Sequence, residues 1–363
     1  MFKIFKDFDW LIFLPIVILG GFSLSLLASS GEKFLFPQFL FFSFGFFLFL
    51  LFSQIDWQIY KSLAVFAYLL SIVLLVLTFF GPEVRGATRW IEILGFRWQP
   101  SELVKPLIVI SLASFFSSHP PKNLKTLILG LAILAPPLFL IFRQPDLGNV
   151  IIIAGIWLGI VCVAGLPFFL GVSAAVIFPL FLPLGWFLLK SYQKVRLVSF
   201  LNPYFDPLGA GYNSIQAMIA VGSGQFLGRG LGRGPQSRLL FLPEHHTDFI
   251  FAALSEELGF IGAALAIFAY AILLWRILQV AKNIKDPLAS AILLGIFSQI
   301  FLQVFINIGM NLGLVPITGI TLPLLSYGGS SIISTMIALG IVVNIAKTTT
   351  KSRAIDIIPS SII

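Results

Sequence analysis

The amino-acid sequence predicts an all-α polytopic membrane protein with about ten transmembrane helices. Of its 363 residues, 58% are hydrophobic and only 10% are charged. Apolar runs of about twenty residues, the length of a helix that crosses a hydrocarbon core, recur from one end of the chain to the other. The segments between these runs are too short to fold alone, so we expect residues 1–363 to form a single integral-membrane domain.

Charge and cysteine content exclude two other classes of protein. The net charge of +8 does not indicate a nucleic-acid partner, because the basic residues are scattered through the loops and form no arm or stripe. The single cysteine, Cys162, lies in an apolar run, so the chain has no disulfide framework.

The predicted spans follow the apolar runs in order. The N-terminal run is longer than the core of a cleavable signal peptide, which has about 7–15 residues, so we interpret it as an uncleaved first span. The ten spans are predicted at residues 10–29, 34–53, 62–80, 101–117, 124–142, 148–165, 167–189, 249–276, 288–310 and 329–346.

An even number of spans places both termini on one side of the membrane. The other side receives residues 81–100, 143–147, 311–328 and a long loop, 190–248, which precedes the eighth span. Short cytoplasmic loops are enriched in Lys and Arg. We therefore predict cytoplasmic termini and an extracytoplasmic long loop, from the basic residues near span ends on the terminal side: Lys122, Lys125, Arg276, Lys282 and Lys285.

Charged and aromatic residues fill the segment that leads into span four. Arginines such as Arg97 can bind phosphate bidentately at the headgroup level, or they can simply form an interfacial belt with the tryptophans. In Gln99-Pro-Ser-Glu-Leu-Val-Lys105, Glu102 and Lys105 lie on one helix face. They form either an intrahelical ion pair or part of a substrate-handling site. Asp146, in the similar segment Gln144-Pro-Asp-Leu-Gly148, is better explained as a helix cap than as a catalytic residue.

The long loop contains a short predicted helix and a glycine-rich segment. Ile215, Met218 and Ile219 share one face of a helix that would lie on the membrane surface. The segment Gly222–Gly234 follows no strand and lacks the spacing of a nucleotide fingerprint, so we predict a mobile loop. Its arginines, Arg229 and Arg233, bind an anionic phosphate, or the segment is a plain connector.

Polar groups also mark the last three spans. Asp248 stands at the start of span eight, where an unused charge would be costly and where the helix N-terminus should keep it ionised. Glu256 and Glu257 follow within that span. Ser330 and Ser331 begin span ten and either bind an anion or cap the helix. Span nine carries Gln299, Gln303, Asn307 and Asn311 at four-residue intervals, a pattern more typical of interhelical packing than of a cavity wall.

Four of these segments resemble the motifs of the SEDS family (shape, elongation, division and sporulation). They occur in the same order and on one topology: Gln99–Lys105, Gln144–Gly148, Pro243–Phe251 and Leu325–Ser331. Asn307–Met310 and Gly313–Gly319 are more similar to the elongation branch, RodA, than to the division branch, FtsW.

This resemblance implies a peptidoglycan glycosyltransferase in the bacterial cytoplasmic (inner) membrane. The substrate would be lipid II, a disaccharide-peptide on an undecaprenyl pyrophosphate carrier, which is polymerised into an undecaprenyl-linked glycan. The implied partner is a class B penicillin-binding protein, the transpeptidase. By position, Asp248 matches the essential acid of the family, and Arg97, Glu102 and Lys105 match functionally important positions. Pro106 departs from the family pattern and puts the presentation of Lys105 in doubt.

The implied reaction needs a base for a sugar hydroxyl and positive charge for the pyrophosphate leaving group. Asp248 is the candidate base, while Arg97, Lys105, Arg229 and Arg233 could hold pyrophosphate. A divalent cation could assist, although the sequence shows no metal-ligand cluster. The main rival is a lipid II flippase, which should carry polar groups near the membrane midplane. A scaffold without activity would leave Asp248 unexplained.

Overall fold

The structure, a computed structural model, describes residues 9–83, 88–93, 95–167, 169, 187, 191–239 and 241–356. It confirms a mostly helical membrane architecture. Twelve α-helices lie within the described residues: α1 Trp10–Ser30, α2 Glu32–Phe52, α3 Ile59–Leu77, α4 Pro100–Ser118, α5 Leu124–Arg143, α6 Leu147–Val163, α7 Ser191–Leu201, α8 Tyr212–Ser223, α9 Pro235–Arg238, α10 Ile250–Asn283, α11 Pro287–Asn311 and α12 Gly329–Asp356. Short 3₁₀ turns occupy Thr78–Phe80 and Pro203–Phe205.

Nine of the ten predicted spans correspond to these helices. Eight helices of the described chain are long and apolar enough to cross a membrane, and Leu147–Val163 is a shorter apolar helix at the sixth predicted span. The predicted seventh span, 167–189, lies outside the described residues except at 167, 169 and 187. The helices therefore support a chain that crosses the membrane many times.

Helix α12 forms the centre of the bundle, and 94% of its most apolar window is buried inside the protein. Small residues allow close helix contacts, as is usual between membrane helices. A Cβ atom added at Gly340 of α12 would lie 2.7 Å from the carbonyl oxygen of Phe49 on α2. A Cβ atom added at Gly159 of α6 would lie 1.9 Å from Ser298 Oγ on α11. These contacts fix α2, α6 and α11 around the core.

A small antiparallel hairpin, which the sequence analysis did not predict, precedes α4. Strand β1 spans Ile91–Ile93 and β2 spans Phe96–Trp98, with Glu92 opposite Arg97 in the register. The apolar residues alternate with these charges, the two-residue period of a strand. Phe96 and Trp98 pack on the Phe41 ring at centroid distances of 5.3 and 5.8 Å. The hairpin therefore exists because it covers α2, not because it forms a larger sheet.

The short helix predicted in the long loop is confirmed as α8, but one of its faces is buried in the protein. Ala217 and Ala220 are fully buried and pack with Leu242, Phe249 and Ala252. Ile219, on the predicted membrane-facing side, is 45% exposed. Helix α8 thus joins the long loop to the first turn of α10.

Candidate active site

The structure brings the predicted motifs together at one end of the bundle. The Gln99 amide N–H donates to Ser330 Oγ at 2.8 Å, and Gln99 Nε2 donates to Asp146 Oδ2 at 3.1 Å. Asp146 also accepts hydrogen bonds from Ser101 Oγ and from the main-chain and side-chain N–H groups of Asn149. The starts of α4, α6 and α12 are therefore joined directly, and the interpretation of Asp146 as a helix cap is supported.

Arg89 ties the segment before the hairpin to the end of α5. Its guanidinium donates to the carbonyl oxygen of Gln144 at 2.8 Å and to that of Pro145. The buried Gln144 side chain donates in turn to Thr78 Oγ1 at 2.6 Å and to the Leu75 carbonyl at 3.0 Å. This arrangement holds a cation near the start of α6.

Asp248 lies two residues before α10 and is half-buried. Its Oδ2 lies beside Gly319, where an added Cβ atom would be 3.4 Å away. The segment Ile317–Ile320 also approaches α7, because Arg196 Nη1 donates to the Ile317 carbonyl at 3.4 Å. The carboxylate is thus enclosed by the long loop on one side and by the segment after α11 on the other.

The pKa of Asp248 is raised from 3.8 to about 6, mainly by burial and in addition by the nearby charge of Glu244. Arg196 and Arg89 lower this pKa, and Asp146 raises it. The sequence analysis expected the helix N-terminus to keep the carboxylate ionised by lowering its pKa, and the expected direction of the shift is wrong. Desolvation is the largest cause of the raised pKa, and Asp248 lies outside the helix, before its N-cap residue, Phe249.

Glu102 and Lys105 form a buried intrahelical ion pair, with Lys105 Nζ 2.6 Å from Glu102 Oε1. Glu102 is 3% exposed and Lys105 has no exposed surface. Gln303 Nε2 of α11 lies 3.4 Å from Glu102 Oε2. Helix α4 continues through Pro106, so the proline does not separate the pair. Contact between Lys105 and a substrate would require this face of α4 to open, and the substrate-binding role of both residues stays a prediction.

The other predicted substrate-binding residues are spread over three elements. Arg97 is exposed on β2, opposite Glu92. Ser330 accepts the hydrogen bond from Gln99, and Ser331 Oγ lies 3.0 Å from Thr321 Oγ1. Both serines are almost fully buried. Their hydroxyls thus serve internal contacts, and anion binding by this pair stays a prediction.

The glycine-rich segment is bonded to a kink in α10 and is not the free loop that the sequence predicted. The kink lies at Gly259, whose φ of 66° and ψ of −163° suit only glycine. The N–H groups of Arg229 and Gly230 donate to the carbonyl oxygens of Glu256 and Glu257, both at 2.9 Å. The segment therefore supplies hydrogen bonds that the broken helix cannot make for itself.

Two further hydrogen bonds run in the opposite direction, from N–H groups of the helix to carbonyl oxygens of the loop. The N–H groups of Phe260 and Ile261 donate to the carbonyl oxygens of Gln225 and Phe226. Backbones this close exclude side chains, and a Cβ atom added at Gly228 would lie 2.2 Å from the Glu257 carbonyl oxygen. The prediction of a mobile segment failed because the glycine spacing serves backbone contact with α10.

Glu256 and Glu257 also hold the loop through their carboxylates. Glu256 accepts from the N–H groups of Gln236 and Ser237 and from Ser237 Oγ, which places it at the N-terminus of α9. Glu257 accepts from Ser29 Oγ and from the Gly232 N–H. Both carboxylates are therefore engaged by protein groups.

Arg229 and Arg233 are exposed on this bonded loop. Arg229 Nε also donates to the Ser223 carbonyl at 2.8 Å. The loop joins α10 at Glu256, which lies about 12 Å along the helix axis from Asp248. The two arginines are accessible to an anion, and neither is among the charged groups that shift the pKa of Asp248.

The polar face of the ninth predicted span is buried against other helices. Gln299, Gln303, Asn307 and Asn311 have no exposed surface. Gln303 contacts Glu102, whereas Asn307 Nδ2 donates to the Ile320 carbonyl at 2.7 Å. These contacts support the packing interpretation over a cavity wall.

The site contains two cations near Asp248 that the sequence analysis did not single out, Arg89 and Arg196. Their separation from Asp248 along the chain gave no signal, because only the packing of α7 and the pre-hairpin segment brings them close. Within the described ranges, no three His, Cys, Asp or Glu side chains group as a metal site.

Comparison with known proteins identifies the family. Residues 4–351 match the FtsW/RodA/SpoVE family of cell cycle proteins. Over 296 residues the chain is 39% identical to the peptidoglycan glycosyltransferase MrdB of Escherichia coli K12, covering 81% of this chain and 80% of the relative. It is 36% identical over 299 residues to the stage V sporulation protein E of Bacillus subtilis, covering 80% of each.

Solved structures with a similar fold agree with this family assignment. A chain of a peptidoglycan synthase complex that coordinates polymerization and crosslinking superposes with a TM-score of 0.83 at 29% identity, covering 94% of this chain and 98% of that one. The rod shape determining protein RodA of Thermus thermophilus superposes with a TM-score of 0.69 at 26% identity, covering 93% and 96%. As the motifs predicted, the chain belongs to the SEDS family of FtsW, RodA and SpoVE proteins.

Proposed function

We propose that this protein is a peptidoglycan glycosyltransferase that polymerises lipid II into glycan strands for cell-wall elongation and releases undecaprenyl pyrophosphate. The observation that carries the proposal is Asp248, a half-buried carboxyl with a pKa of about 6 that feels the charges of two arginines, Arg196 and Arg89. A general base works best when its pKa is near the operating pH. An ordinary surface aspartate would be a much weaker base.

In this mechanism, Asp248 accepts the proton of the acceptor sugar hydroxyl as its oxygen bonds to the anomeric carbon of the donor. The bond from that carbon to the pyrophosphate oxygen breaks, and the pyrophosphate leaves with the bonding electron pair. Arg196 and Arg89 are the cations placed to stabilise the developing negative charge. A divalent cation, if one is bound during the reaction, would add positive charge for the leaving group, and no step above depends on it.

Two of the predicted substrate-binding residues lie on the glycine-rich loop. Arg229 and Arg233 are exposed, and we propose that they bind the pyrophosphate of a second lipid-linked chain. Replacing both by alanine should raise the KM for lipid II while the backbone bonds of the loop persist. An unchanged KM would show that the segment is only a structural connector.

We also propose that both termini are cytoplasmic, that the membrane is the bacterial inner membrane, and that a class B penicillin-binding protein is the partner. The basic residues of the short terminal-side loops support this orientation. The similarity to a chain of a peptidoglycan synthase complex supports a crosslinking partner. The Asp248 end then faces the extracytoplasmic side, where the glycan is built.

The position of the membrane along α10 bears on the flippase alternative. Helix α10 is broken at Gly259, and the 24 residues after the kink, 260–283, are about 36 Å long at about 1.5 Å per residue, enough by themselves to cross the roughly 30 Å of a hydrocarbon core. Its strongly exposed apolar side chains begin only after the kink, with Phe260 at 62% and Phe268 at 63% exposed. Glu256 and Glu257 therefore lie near the interface and not at the midplane, where a transporter would need them.

The test uses purified protein in liposomes with labelled lipid II, scored separately for polymer and for translocation. Asp248→Asn keeps the shape of the side chain but removes its basic oxygens, so polymer synthesis should fall on the order of a hundredfold or more. Lipid II binding, measured in parallel, should survive. Polymerisation by Asp248→Asn near the parental rate would refute the base assignment, and translocation without polymer would favour the flippase.

A further inference from the structure

The segment that precedes α12 donates hydrogen bonds to the main chain just before α10. The Tyr327 N–H donates to the carbonyl oxygen of His246 at 2.8 Å, and Ser326 Oγ donates to the carbonyl oxygen of Thr247 at 2.7 Å. Ser326 Oγ also accepts from the Leu322 N–H at 2.8 Å. The serine hydroxyl is thus fixed as both donor and acceptor between the two segments.

The next carbonyl, that of Asp248, is held by α11. Asn307 Nδ2 and Asn311 Nδ2 lie 3.0 and 3.2 Å from it. The other end of the Asn311 amide, Oδ1, accepts from the Ala252 N–H at 3.1 Å. In a regular helix, the Asp248 carbonyl and the Ala252 N–H would bond to each other. The Asn311 amide instead stands between them and bonds to both.

This arrangement sets where α10 begins. The Ala253 N–H makes a regular bond to the Phe249 carbonyl at 3.1 Å, so the ladder starts one residue after Asp248. A side chain inserted into the i to i−4 ladder opens the turn and changes the direction of the residue it displaces. Three successive carbonyls, from His246 to Asp248, are therefore oriented by α11 and by the segment before α12.

We propose that Asn311, Asn307 and Ser326 are positioning residues that fix the main chain of Asp248 and so direct its carboxylate toward the acceptor hydroxyl. This inference rests on the proposed function. It assigns to the Leu325–Ser331 motif a role in orienting the base, beside the anion binding predicted for Ser330 and Ser331. It also gives Asn307 and Asn311, on the polar face of α11, a role that Gln299 and Gln303 on the same face do not share, because the two glutamines do not contact Asp248.

The same geometry links the positioning residues to the protonation of Asp248. The charged groups that face its carboxylate are Glu244 in the preceding turn, Arg196 on α7, Arg89 before the hairpin and Asp146 at the start of α6. Releasing the Asp248 carbonyl lets the carboxylate move away from these groups and toward water. Hydration favours the charged form, so the pKa should fall from about 6 toward the ordinary value.

The test compares four alanine variants of the full-length protein in liposomes. Asn311→Ala and Ser326→Ala remove positioning contacts from two different elements. Gln299→Ala and Ser334→Ala are matched controls, because each removes a buried amide or hydroxyl that has no hydrogen-bond partner within the described part of the chain. For each variant we measure kcat and KM for lipid II, the pH profile of kcat, and the folded fraction by thermal unfolding.

We expect Asn311→Ala and Ser326→Ala to lower kcat per folded molecule on the order of ten- to a hundredfold, because small misplacements of a reacting group are costly. KM should change less than about twofold, since substrate binding is not removed. The acidic midpoint of the pH profile should move to lower pH. Both controls should keep the parental kcat and profile.

The inference is overturned if folded Asn311→Ala and Ser326→Ala keep the parental kcat and pH profile, or if the controls lose as much activity as they do. Asn307→Ala supplies the same comparison where one of the first two variants does not fold. A parental protein that makes no polymer would refute the proposed function itself. An active parent with unaffected positioning variants would refute this inference alone.

Discussion

The raised pKa of Asp248 predicts a pH dependence that an ordinary aspartate would not give. With a pKa of about 6, about nine-tenths of the enzyme carries the ionised base at pH 7, but only about one-tenth does at pH 5. The polymerisation rate should therefore fall about tenfold over these two units. A carboxyl at its ordinary value of 3.8 would lose less than about a tenth of its ionised form over the same interval.

The sign of the shift can be tested through the neighbouring charges. Burial is the main cause of the raised pKa, and Glu244 adds to it, so Glu244→Gln should move the acidic midpoint down. Arg196 stabilises the ionised carboxylate, so Arg196→Gln should move the midpoint up. Opposite shifts from two neutralising substitutions are a signature of direct electrostatic coupling to one group.

The assay is the initial rate of polymer formation from labelled lipid II in liposomes, between about pH 4.5 and 8, at saturating substrate. Saturation separates the ionisation of the enzyme–substrate complex from effects on binding. The reasoning is refuted if the parental rate shows no acidic midpoint within this range, or if both substitutions shift the midpoint in the same direction.

Three further predictions concern the supports of the site. Gly259→Ala should lower the free energy of unfolding by about 1–3 kcal/mol and reduce the melting temperature, since the kink conformation is unfavourable for alanine. The control is Gly222→Ala in α8, where the space around the glycine is open, and it should leave the melting temperature unchanged or raise it. Lys105→Met should destabilise the protein by about 3–5 kcal/mol because it leaves Glu102 buried and unpaired, and adding Glu102→Gln should recover much of that loss in thermal unfolding. Glu256→Ala removes the acceptor of three hydrogen bonds to α9, so limited proteolysis should cut the glycine-rich loop faster than in the parent; equal cutting rates would contradict the description of that loop as bonded.

The polar face of α11 shows what could and could not be predicted from the sequence. Four-residue spacing placed Gln299, Gln303, Asn307 and Asn311 on one helix face, and the packing interpretation that followed is supported. The spacing could not separate them by function. Only the position of α10 reveals that Asn311 bonds to both Asp248 and Ala252, because a hydrogen bond between elements 59 or more residues apart leaves no local pattern.

The glycine-rich loop shows the opposite case, in which composition was misleading. Glycines at Gly228, Gly230, Gly232 and Gly234 indicate a flexible chain when the segment is considered alone. The structure uses this spacing to bring the loop backbone against the kink at Gly259. The signal that could have predicted this was the pair Glu256-Glu257, which needs partners near a membrane boundary and lies before a helix glycine.

The sequence by itself determined the membrane class, nine apolar helices and the gathering of the motifs at one end of the bundle, and it made Asp248 the candidate base, because apolar length and charge position are local properties of the chain. Tertiary structure alone decided the pKa of Asp248, the identity of the cations beside it and the bonding of the loop to α10. Those properties depend on burial and on distances between elements far apart in sequence, and electrostatic energy changes steeply with both.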